Sequence, residues 1–375
     1  MKKRQSPRIL ASELMRMKSD DRSGILFPDF TENPWTTKPL PQSRSAGKRK
    51  GCGLTTLELC AGAGGQALGY EHAGIEHVAL IELNKTACAT LRLNRPDWKV
   101  IEHDLTVEDK SGFNPADFLG VDIISGGLPC PPFSVAGKQL GEHDERNLFP
   151  VMIRLVDQIR PGAVMIENVR GILDAVFIDY RLHLKDQLKK LGYKTGWKLM
   201  NASDFGVPQL RPRVVFVGLR EEYSEHFSWP GNNGLQPQNV GETLYDLISA
   251  NGWAGAELWR SRADEIAPTV VGGSHKHGGP DLGPTRARKA WASLGVDGLG
   301  IADDAPGPDF PVNGTPRLTV RMVARIQGFP DEWQFAGRKT AAYRQVGNAF
   351  PPPFAQAVAE RLRACLTRSR LVRIA

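Results

Sequence analysis

A single cysteine stands in the loop Gly126-Gly127-Leu128-Pro129-Cys130-Pro131-Pro132-Phe133-Ser134, directly after the apolar run 121–125. The prolines and glycines around Cys130 argue against a packed helix or strand interior, so the sequence predicts a stiff loop at the end of a strand. A thiol held there can act as a nucleophile if a base or acid lies nearby. A buried cysteine that serves only as a small hydrophobic side chain is the alternative.

Side chains that could assist such a nucleophile lie next to two further apolar runs. Glu167 and Asn168 follow residues 162–166, and Arg211 and Arg213 precede the run 214–217. A carboxyl group can donate a proton to a reacting ring, and guanidinium groups can hold an oxygen that gains negative charge. Each feature is weak alone, because strand ends commonly carry solvated polar residues.

The chain from residue 54 onward alternates strand-like and helix-like segments, which must position these side chains. The pattern predicts strands at 54–60, 77–83, 121–125, 163–167, 194–201 and 213–219, and helices at 85–93, 147–159 and 181–191. This alternation favours an α/β fold with a mostly parallel sheet covered by helices and with ligands at the carboxyl ends of the strands. A tight glycine turn, Ala61-Gly62-Ala63-Gly64-Gly65, follows the first strand and suits close approach to a nucleotide-like ligand.

Residues 222–316 lack this alternation and are rich in Gly, Pro, Trp and Asn. One interpretation is a long insertion whose tryptophans form a small core. We favour a recognition region, because polar and basic side chains on glycine-rich loops, such as His275 and Lys276, suit contacts with base edges and phosphates.

Composition and charge bound the possible functions. A chain of 375 residues exceeds what one core usually grows to, so two domains are expected. Residues 1–50 hold 12 Lys or Arg and 5 Asp or Glu, which accounts for the whole net charge of +7. This segment is predicted to be a basic, flexible arm that either is simply solvated or attracts DNA phosphates.

The cysteines and the hydropathy indicate a compartment. Five cysteines, at positions 52, 60, 88, 130 and 365, form neither metal-type pairs nor an even set of disulfides, which is typical of a reducing cytoplasm. No apolar run approaches 18 residues, and the basic start lacks the apolar segment of a signal peptide. We therefore expect a cytoplasmic protein with no membrane association.

The order and spacing of six motifs resemble the cytosine-5 DNA methyltransferases, of the bacterial restriction-modification type. The resemblance covers residues 54–366 and rests on Glu58-Leu59-Cys60-Ala61-Gly62-Ala63-Gly64-Gly65, Pro129-Cys130, Glu167-Asn168-Val169, Gln209-x-Arg211-x-Arg213, the segment from Arg317 to Pro330, and Gln345-Val346-Gly347-Asn348-Ala349. It implies a Rossmann-like methyltransferase sheet with an inserted, smaller target recognition domain.

The resemblance implies a reaction at carbon 5 of a cytosine flipped out of duplex DNA, with no metal. Cys130 would add to carbon 6, Glu167 would protonate or hydrogen-bond ring nitrogen 3, and Arg213 would hold the oxygen at carbon 2. Arg211 and Asn168 would position the site. Because the ring is then an enamine, its carbon 5 can attack a methyl donor.

The implied methyl donor is S-adenosylmethionine. Its amino acid end would lie over the glycine turn, Glu82 would take the ribose hydroxyls and Asp104 the adenine. The matching donor-site positions are Cys60, Ala61, Gly62, Gly64, Gly65, Glu82, Leu83, Asp104, Leu105, Leu148 and Asn348. Cys60 and Leu83 stand where the family usually has aromatic residues, and Pro131 replaces a common glutamine.

The resemblance also implies the domain limits and the partners. Residues 51–221 and 317–375 would form the catalytic domain, closed by a helix at 351–363, and residues 222–316 the target recognition domain. Duplex DNA would be the partner, with contacts from Ser134, Arg146, His275, Lys276, Arg286 and Arg288. Because Arg and Lys pair well with guanine, a G·C-rich site is expected. We expect a monomer that acts alongside a cognate restriction endonuclease, without necessarily binding it.

Two other functions stay open. A tRNA cytosine-5 methyltransferase of the same fold is the nearer alternative, although the long recognition region favours DNA. A catalytically silent DNA-binding regulator would be expected to have lost Cys130, Glu167 or Arg213, and all three are present.

Overall fold

The computed structural model describes residues 33–39, 51–107, 112–129, 147–232, 234–272 and 280–374, with side chains to residue 368. Seven strands of this described part form one sheet, in the order β4-β3-β2-β5-β6-β8-β7. They are β2 (Thr55–Leu59), β3 (Glu76–Glu82), β4 (Val100–Glu102), β5 (Ile123–Gly127), β6 (Ala163–Asn168), β7 (Tyr193–Asn201) and β8 (Pro212–Arg220). Of these seven strands, β8 alone runs opposite in direction to the other six. The predicted α/β fold with a mostly parallel sheet is confirmed.

Helices cover both faces of the sheet, which explains why its central strands β2, β5 and β6 are buried along almost their whole length. One face packs on α3 (Phe149–Ile159) and α4 (Ile178–Lys190), and the other on α1 (Gly65–His72) and the long C-terminal helix α11 (Pro352–Ile374). The second face also carries α2 (Lys85–Asn94) near its edge, where Leu91 packs with Ala67 of α1. The short helix α5 (Glu221–Ser224) packs on the same face. Gly69 permits the contact between α1 and α11, since a Cβ atom there would lie 2.6 Å from the Cβ of Ala355. The C-terminal helix therefore belongs to the same packed unit as the first strands, and it extends well beyond the predicted 351–363.

A third hydrophobic core lies beside the sheet. It contains Trp253, Trp259 and Trp291 and is built from α6 (Val240–Ile248), α7 (Ala256–Arg262) and α8 (Thr285–Ser293). The same core continues through α9 (Val320–Ile326) and α10 (Lys339–Asn348). The hydrophobic core thus extends past residue 316, at which the recognition domain is predicted to end. At the other boundary, Trp229 packs instead in the core of the sheet.

Residues 33–39, which belong to the segment predicted to be a flexible arm, form a strap along the edge strand β7 of the sheet. Its strand β1 (Thr37–Lys38) pairs in parallel with β9 (Trp229–Pro230). Trp35 is buried, packs edge-on against Phe227 and Trp229, and donates its indole N–H to the carbonyl of Ser224 at 2.9 Å. A large apolar side chain buried in this way stabilises the strap against the solvated alternative.

We expect Trp35→Ala to lower the free energy of unfolding by about 3 to 5 kcal/mol, because it empties a buried aromatic site. Deletion of residues 1–32, which retains the strap, should change that free energy by less than about 1 kcal/mol. Urea denaturation followed by circular dichroism measures both. If the two variants unfold at the same denaturant concentration, the strap does not contribute to the stability of the sheet.

The described helices include none that is long and apolar enough to cross a membrane.

Candidate active site

Those predicted catalytic side chains that the structure describes gather at one edge of the sheet, because parallel strands bring their carboxyl ends together. Gly127 at the end of β5 is the register partner of Glu167 on β6. Glu167 in turn lies opposite Val215 of β8, whose strand starts at this edge and so places Arg213 there. This edge of the sheet therefore brings together Gly127 and Arg213, which are 86 positions apart in the sequence.

Glu167 and Arg213 form a close ion pair at this edge. The Nε atom of Arg213 lies 2.7 Å from Oε1 of Glu167, and the two side chains are 13% and 9% exposed. Burial raises the pKa of Glu167 above its usual value, although Arg213 and Arg211 act in the opposite direction. A carboxyl group in this environment holds its proton to higher pH than a solvated one, which suits a proton donor.

Arg211 is fully buried and bound to backbone carbonyls. Its guanidinium group donates to the oxygens of Val270 at 2.6 Å, Gly347 at 2.7 Å and Ala349 at 3.1 Å. These bonds tie the start of β8 to two segments more than 50 residues away. The arrangement positions the site and leaves Arg213 as the more accessible guanidinium.

Two glutamines extend this buried network, and sequence reasoning gave them no role. Gln209 accepts from the amide of Val270 at 2.9 Å and donates to Gln327 at 2.7 Å, while Gln327 also donates to the carbonyl of Ala349. Both glutamines lie in segments that carry the family resemblance, Gln209 in Gln209-x-Arg211-x-Arg213 and Gln327 in the segment from Arg317 to Pro330. Their position in these segments is the signal in the sequence that could have indicated a role. Their amide groups satisfy backbone atoms that would otherwise be buried without partners.

Asn168 holds the end of β5 that leads to Cys130. It is buried, and its amide donates to the carbonyl of Leu128 at 3.4 Å, while its oxygen accepts from the amide of Val169 at 2.9 Å. Cys130, Ser134, Arg146, His275 and Lys276 lie outside the described residues.

The glycine turn at 61–65 is joined to the neighbouring strand by Glu82. One carboxylate oxygen accepts from the amide of Gly62 and the other from the amide of Asn84, both at 2.7 Å. Gly62 and Gly64 have φ values of 55° and 86°, in the left-handed region that glycine tolerates best. The turn and the carboxylate are thereby fixed side by side at the ends of β2 and β3.

The glycine turn at 61–65 and Glu82 fit the amino acid and adenosine parts of S-adenosylmethionine. An ionised carboxylate has about four acceptor positions, so Glu82 can still accept from two ribose hydroxyls. Next to it, Leu83 is 60% exposed and offers an apolar surface that a flat ring would cover. Hydrogen bonds from Thr106 lower the pKa of Asp104, which keeps it an acceptor for an amino group.

Three of the other predicted donor-site residues, Cys60, Leu105 and Leu148, are less open to a ligand than Leu83. Leu105 and Leu148 are buried in the core beside α3. Cys60 has a positive φ of 53°, and burial together with Glu82 and Asp104 raises the pKa of its thiol. It therefore stays a thiol and does not compete as a nucleophile. Asn348 is exposed and contacts the backbone of Gly272.

The two predicted DNA-reading arginines that the structure describes lie on α8. Arg286 is exposed. Arg288 is partly buried against Gly298, and its guanidinium group lies 3.4 Å from the hydroxyl of Thr285. Arg286 is therefore the freer of the two for contact with a partner.

Comparison with known proteins adds a family assignment to this geometry. A model of the C-5 cytosine-specific DNA methylase family matches residues 54–364. The type II methyltransferase M.NaeI of Lentzea aerocolonigenes is 55% identical over 314 residues, covering 84% of this chain and 75% of that protein. M.NgoMIV of Neisseria gonorrhoeae is 54% identical, covering 82% of this chain and 97% of that protein. The crystal structure of a Spodoptera frugiperda DNMT2 mutant shares the fold, with a TM-score of 0.56 at 19% identity over 84% of this chain and 99% of that one.

Proposed function

This chain belongs to the C-5 cytosine-specific DNA methylase family, and we propose that Cys130, Glu167 and Arg213 carry out its reaction. The family's enzymes methylate carbon 5 of cytosine in DNA with S-adenosylmethionine as the donor. The observation that carries the residue assignment is the ion pair between Glu167 and Arg213. Glu167 is the register partner of Gly127, and Gly127 lies three residues before Cys130 in the sequence.

The chemistry of cytosine requires such a site. Carbon 5 is a poor nucleophile until a group adds to carbon 6, because addition converts the ring to an enamine. A thiolate from Cys130 would form the bond to carbon 6, and a proton or hydrogen bond from Glu167 at ring nitrogen 3 would draw electron density from that carbon. Arg213 would hold the oxygen at carbon 2 as charge develops on the ring.

The reaction ends when the thiol group is released. After carbon 5 gains the methyl group, its hydrogen leaves as a proton, the double bond between carbons 5 and 6 reforms, and the Cys130 sulfur departs. Glu167 can take back the proton from ring nitrogen 3. S-adenosylmethionine, when bound, supplies the electrophilic methyl group, and the turn at 61–65 with Glu82 would hold it beside the base.

The target base must leave the helix, since carbon 6 is covered inside a stacked duplex. The raised pKa of Glu167 and the low exposure of Arg213 describe a pocket shielded from water, where hydrogen bonds to the ring are stronger than in solution. Arg211, Gln209 and Gln327 would keep this pocket and the 267–272 segment in one arrangement.

We propose that residues 222–316 choose the DNA sequence, with a G·C-rich site as the expected kind. Arg286, on the exposed side of α8, is a candidate for a bidentate contact with guanine, together with Arg288, His275 and Lys276. The two relatives above are type II methyltransferases. A cognate endonuclease would act on the same site without necessarily binding this chain, which we propose to be a monomer.

Exchanging residues 222–316 for the matching segment of the type II methyltransferase M.Sau96I, which is 34% identical to this chain, should transfer that enzyme's methylated motif. Bisulfite sequencing of DNA from cells that express the hybrid gives the motif directly. The parental chain, expressed in the same cells, is the control. An active hybrid that still modifies the parental motif would place sequence choice outside 222–316.

The choice between duplex DNA and tRNA is tested with both substrates. We expect transfer of a labelled methyl group to duplex DNA that contains the motif, and background counts with a tRNA pool. Counts in tRNA above those in DNA would favour the tRNA cytosine-5 methyltransferase alternative.

A further inference from the structure

We propose that Trp333 is a positioning residue for the turn at 61–65 and thereby sets the affinity of the enzyme for S-adenosylmethionine. Trp333 follows α9 and lies far from the turn in sequence. The inference rests on the proposed placement of the donor at this turn. Besides the predicted Asn348 at the end of α10, it adds a buried residue of the third core to a proposed site at the ends of β2 and β3.

The indole of Trp333 contacts the turn directly. Its N–H donates to the carbonyl of Ala63 at 3.1 Å in a buried hydrogen bond, and the residue is 5% exposed. The ring also lies against Gly64, where an added Cβ atom would come within 2.9 Å of it. Trp333 therefore fixes both the direction of a carbonyl and the path of the chain at the point where α1 begins.

Arg95 lies over the ring of the same indole. Its guanidinium carbon lies 5.2 Å from the centre of the Trp333 ring and 5.8 Å from that of Trp98. Three hydrogen bonds of 2.8 to 3.1 Å join this guanidinium group to the carboxylate of Glu71 on α1. A charged group fixed over an aromatic ring restrains the ring, so both Arg95 and the turn hold Trp333 in place.

The contact links the donor end of the site to the third core. Trp333 packs in the cluster that contains Trp253 and Trp259 and reaches Leu68 of α1. Its ring centre also lies 6.1 Å from that of Phe329, whose ring would lie 3.2 Å from a Cβ atom at Gly65. A loss of the Trp333 hydrogen bond should loosen the turn without changing the positions of Glu167 and Arg213. These two residues lie near the end of β6 and the start of β8, respectively.

The test is the dissociation constant for S-adenosylmethionine, measured by isothermal titration calorimetry on the full chain. Trp333→Phe retains an aromatic ring but removes the donor, and we expect a rise of about fivefold, which is the usual effect of one hydrogen bond. Turnover at saturating donor and affinity for duplex DNA should stay within about twofold. This selective change in donor binding is not expected of a residue that merely supports the fold.

Trp253→Phe is the matched control. Trp253 belongs to the same core, is also buried, and donates its indole N–H to the carbonyl of Pro311 at the same 3.1 Å, far from the turn. The Trp253→Phe variant should lose about as much free energy of unfolding as Trp333→Phe, while its affinity for S-adenosylmethionine stays unchanged. If both variants change donor affinity equally, or Trp333→Phe leaves it unchanged, the inference is wrong.

Two further variants keep the outcome decisive. Glu82→Gln should weaken donor binding if the donor occupies this turn; if neither it nor Trp333→Phe has an effect, the proposed donor site itself fails. If Trp333→Phe does not fold, Arg95→Gln replaces it, since that side chain is 35% exposed. A rise of at least twofold in its dissociation constant supports the inference, and an unchanged value overturns it.

Discussion

Replacing Cys130 with alanine is expected to reduce methyl transfer to background while leaving affinity for duplex DNA within a few-fold of the parental value. The sulfur makes the bond to carbon 6 and contributes little to docking, so its loss removes stabilisation found only along the reaction path. Neither Glu167 nor Arg213 can replace it, since both act on other ring atoms in the proposed mechanism.

Labelled methyl transfer and a gel-shift assay on the same duplex measure the two effects. Cys52→Ala is the matched control, because Cys52 is a partly buried free thiol at the opposite end of β2. Its turnover should equal that of the parental chain. Substantial turnover by Cys130→Ala would remove Cys130 from the nucleophilic role.

Replacing Glu167 with glutamine is expected to slow methyl transfer by about 10² to 10⁴, the usual contribution of a positioned proton donor. Glutamine retains the shape of the side chain but cannot supply a carboxyl proton to ring nitrogen 3. Single-turnover rates measure the chemical step, and calorimetry with S-adenosylmethionine should show an unchanged affinity. An unchanged rate would mean that another group activates the ring.

The same substitution has an expected signature in stability against pH. Burial raises the pKa of Glu167 in the folded chain above its ordinary value of 4.5, so the folded state holds the proton more tightly than the unfolded one. The free energy of folding that this tighter proton binding contributes is fully present below the pKa that Glu167 has in the unfolded chain. It is lost as pH rises through the pKa that Glu167 has in the folded chain. Glu167→Gln should remove this loss, and urea denaturation from pH 5 upward would detect it.

The sequence predicted the sheet well because its signals are local. The apolar run at 163–167 became β6, from Ala163 to Asn168, and the glycine turn lies between β2 and α1 as expected. Six motifs in order identified the family, and the resemblance is confirmed. The catalytic roles follow from chemistry that the resemblance supplied.

What the sequence did not predict depends on contacts between distant segments. The strap at 33–39 has no periodic pattern, and its pairing partner lies almost 200 residues away. The resemblance implies that Arg211 positions the site, but the motif does not show its partners, the carbonyls of Val270, Gly347 and Ala349, because they come from distant segments. The continuation of the third core beyond 316 likewise arises from helix packing.

The most direct test of the central claim is to capture the enzyme on the base. Fluorine in place of hydrogen at carbon 5 of the target cytosine blocks the final loss of a proton, so the sulfur cannot leave after methyl transfer. With S-adenosylmethionine and such a duplex, we expect one covalent complex per chain, and peptide mass spectrometry should place the modified base on Cys130. An adduct on another residue, or methyl transfer to the unmodified duplex with no adduct on the fluorinated one, would contradict the mechanism.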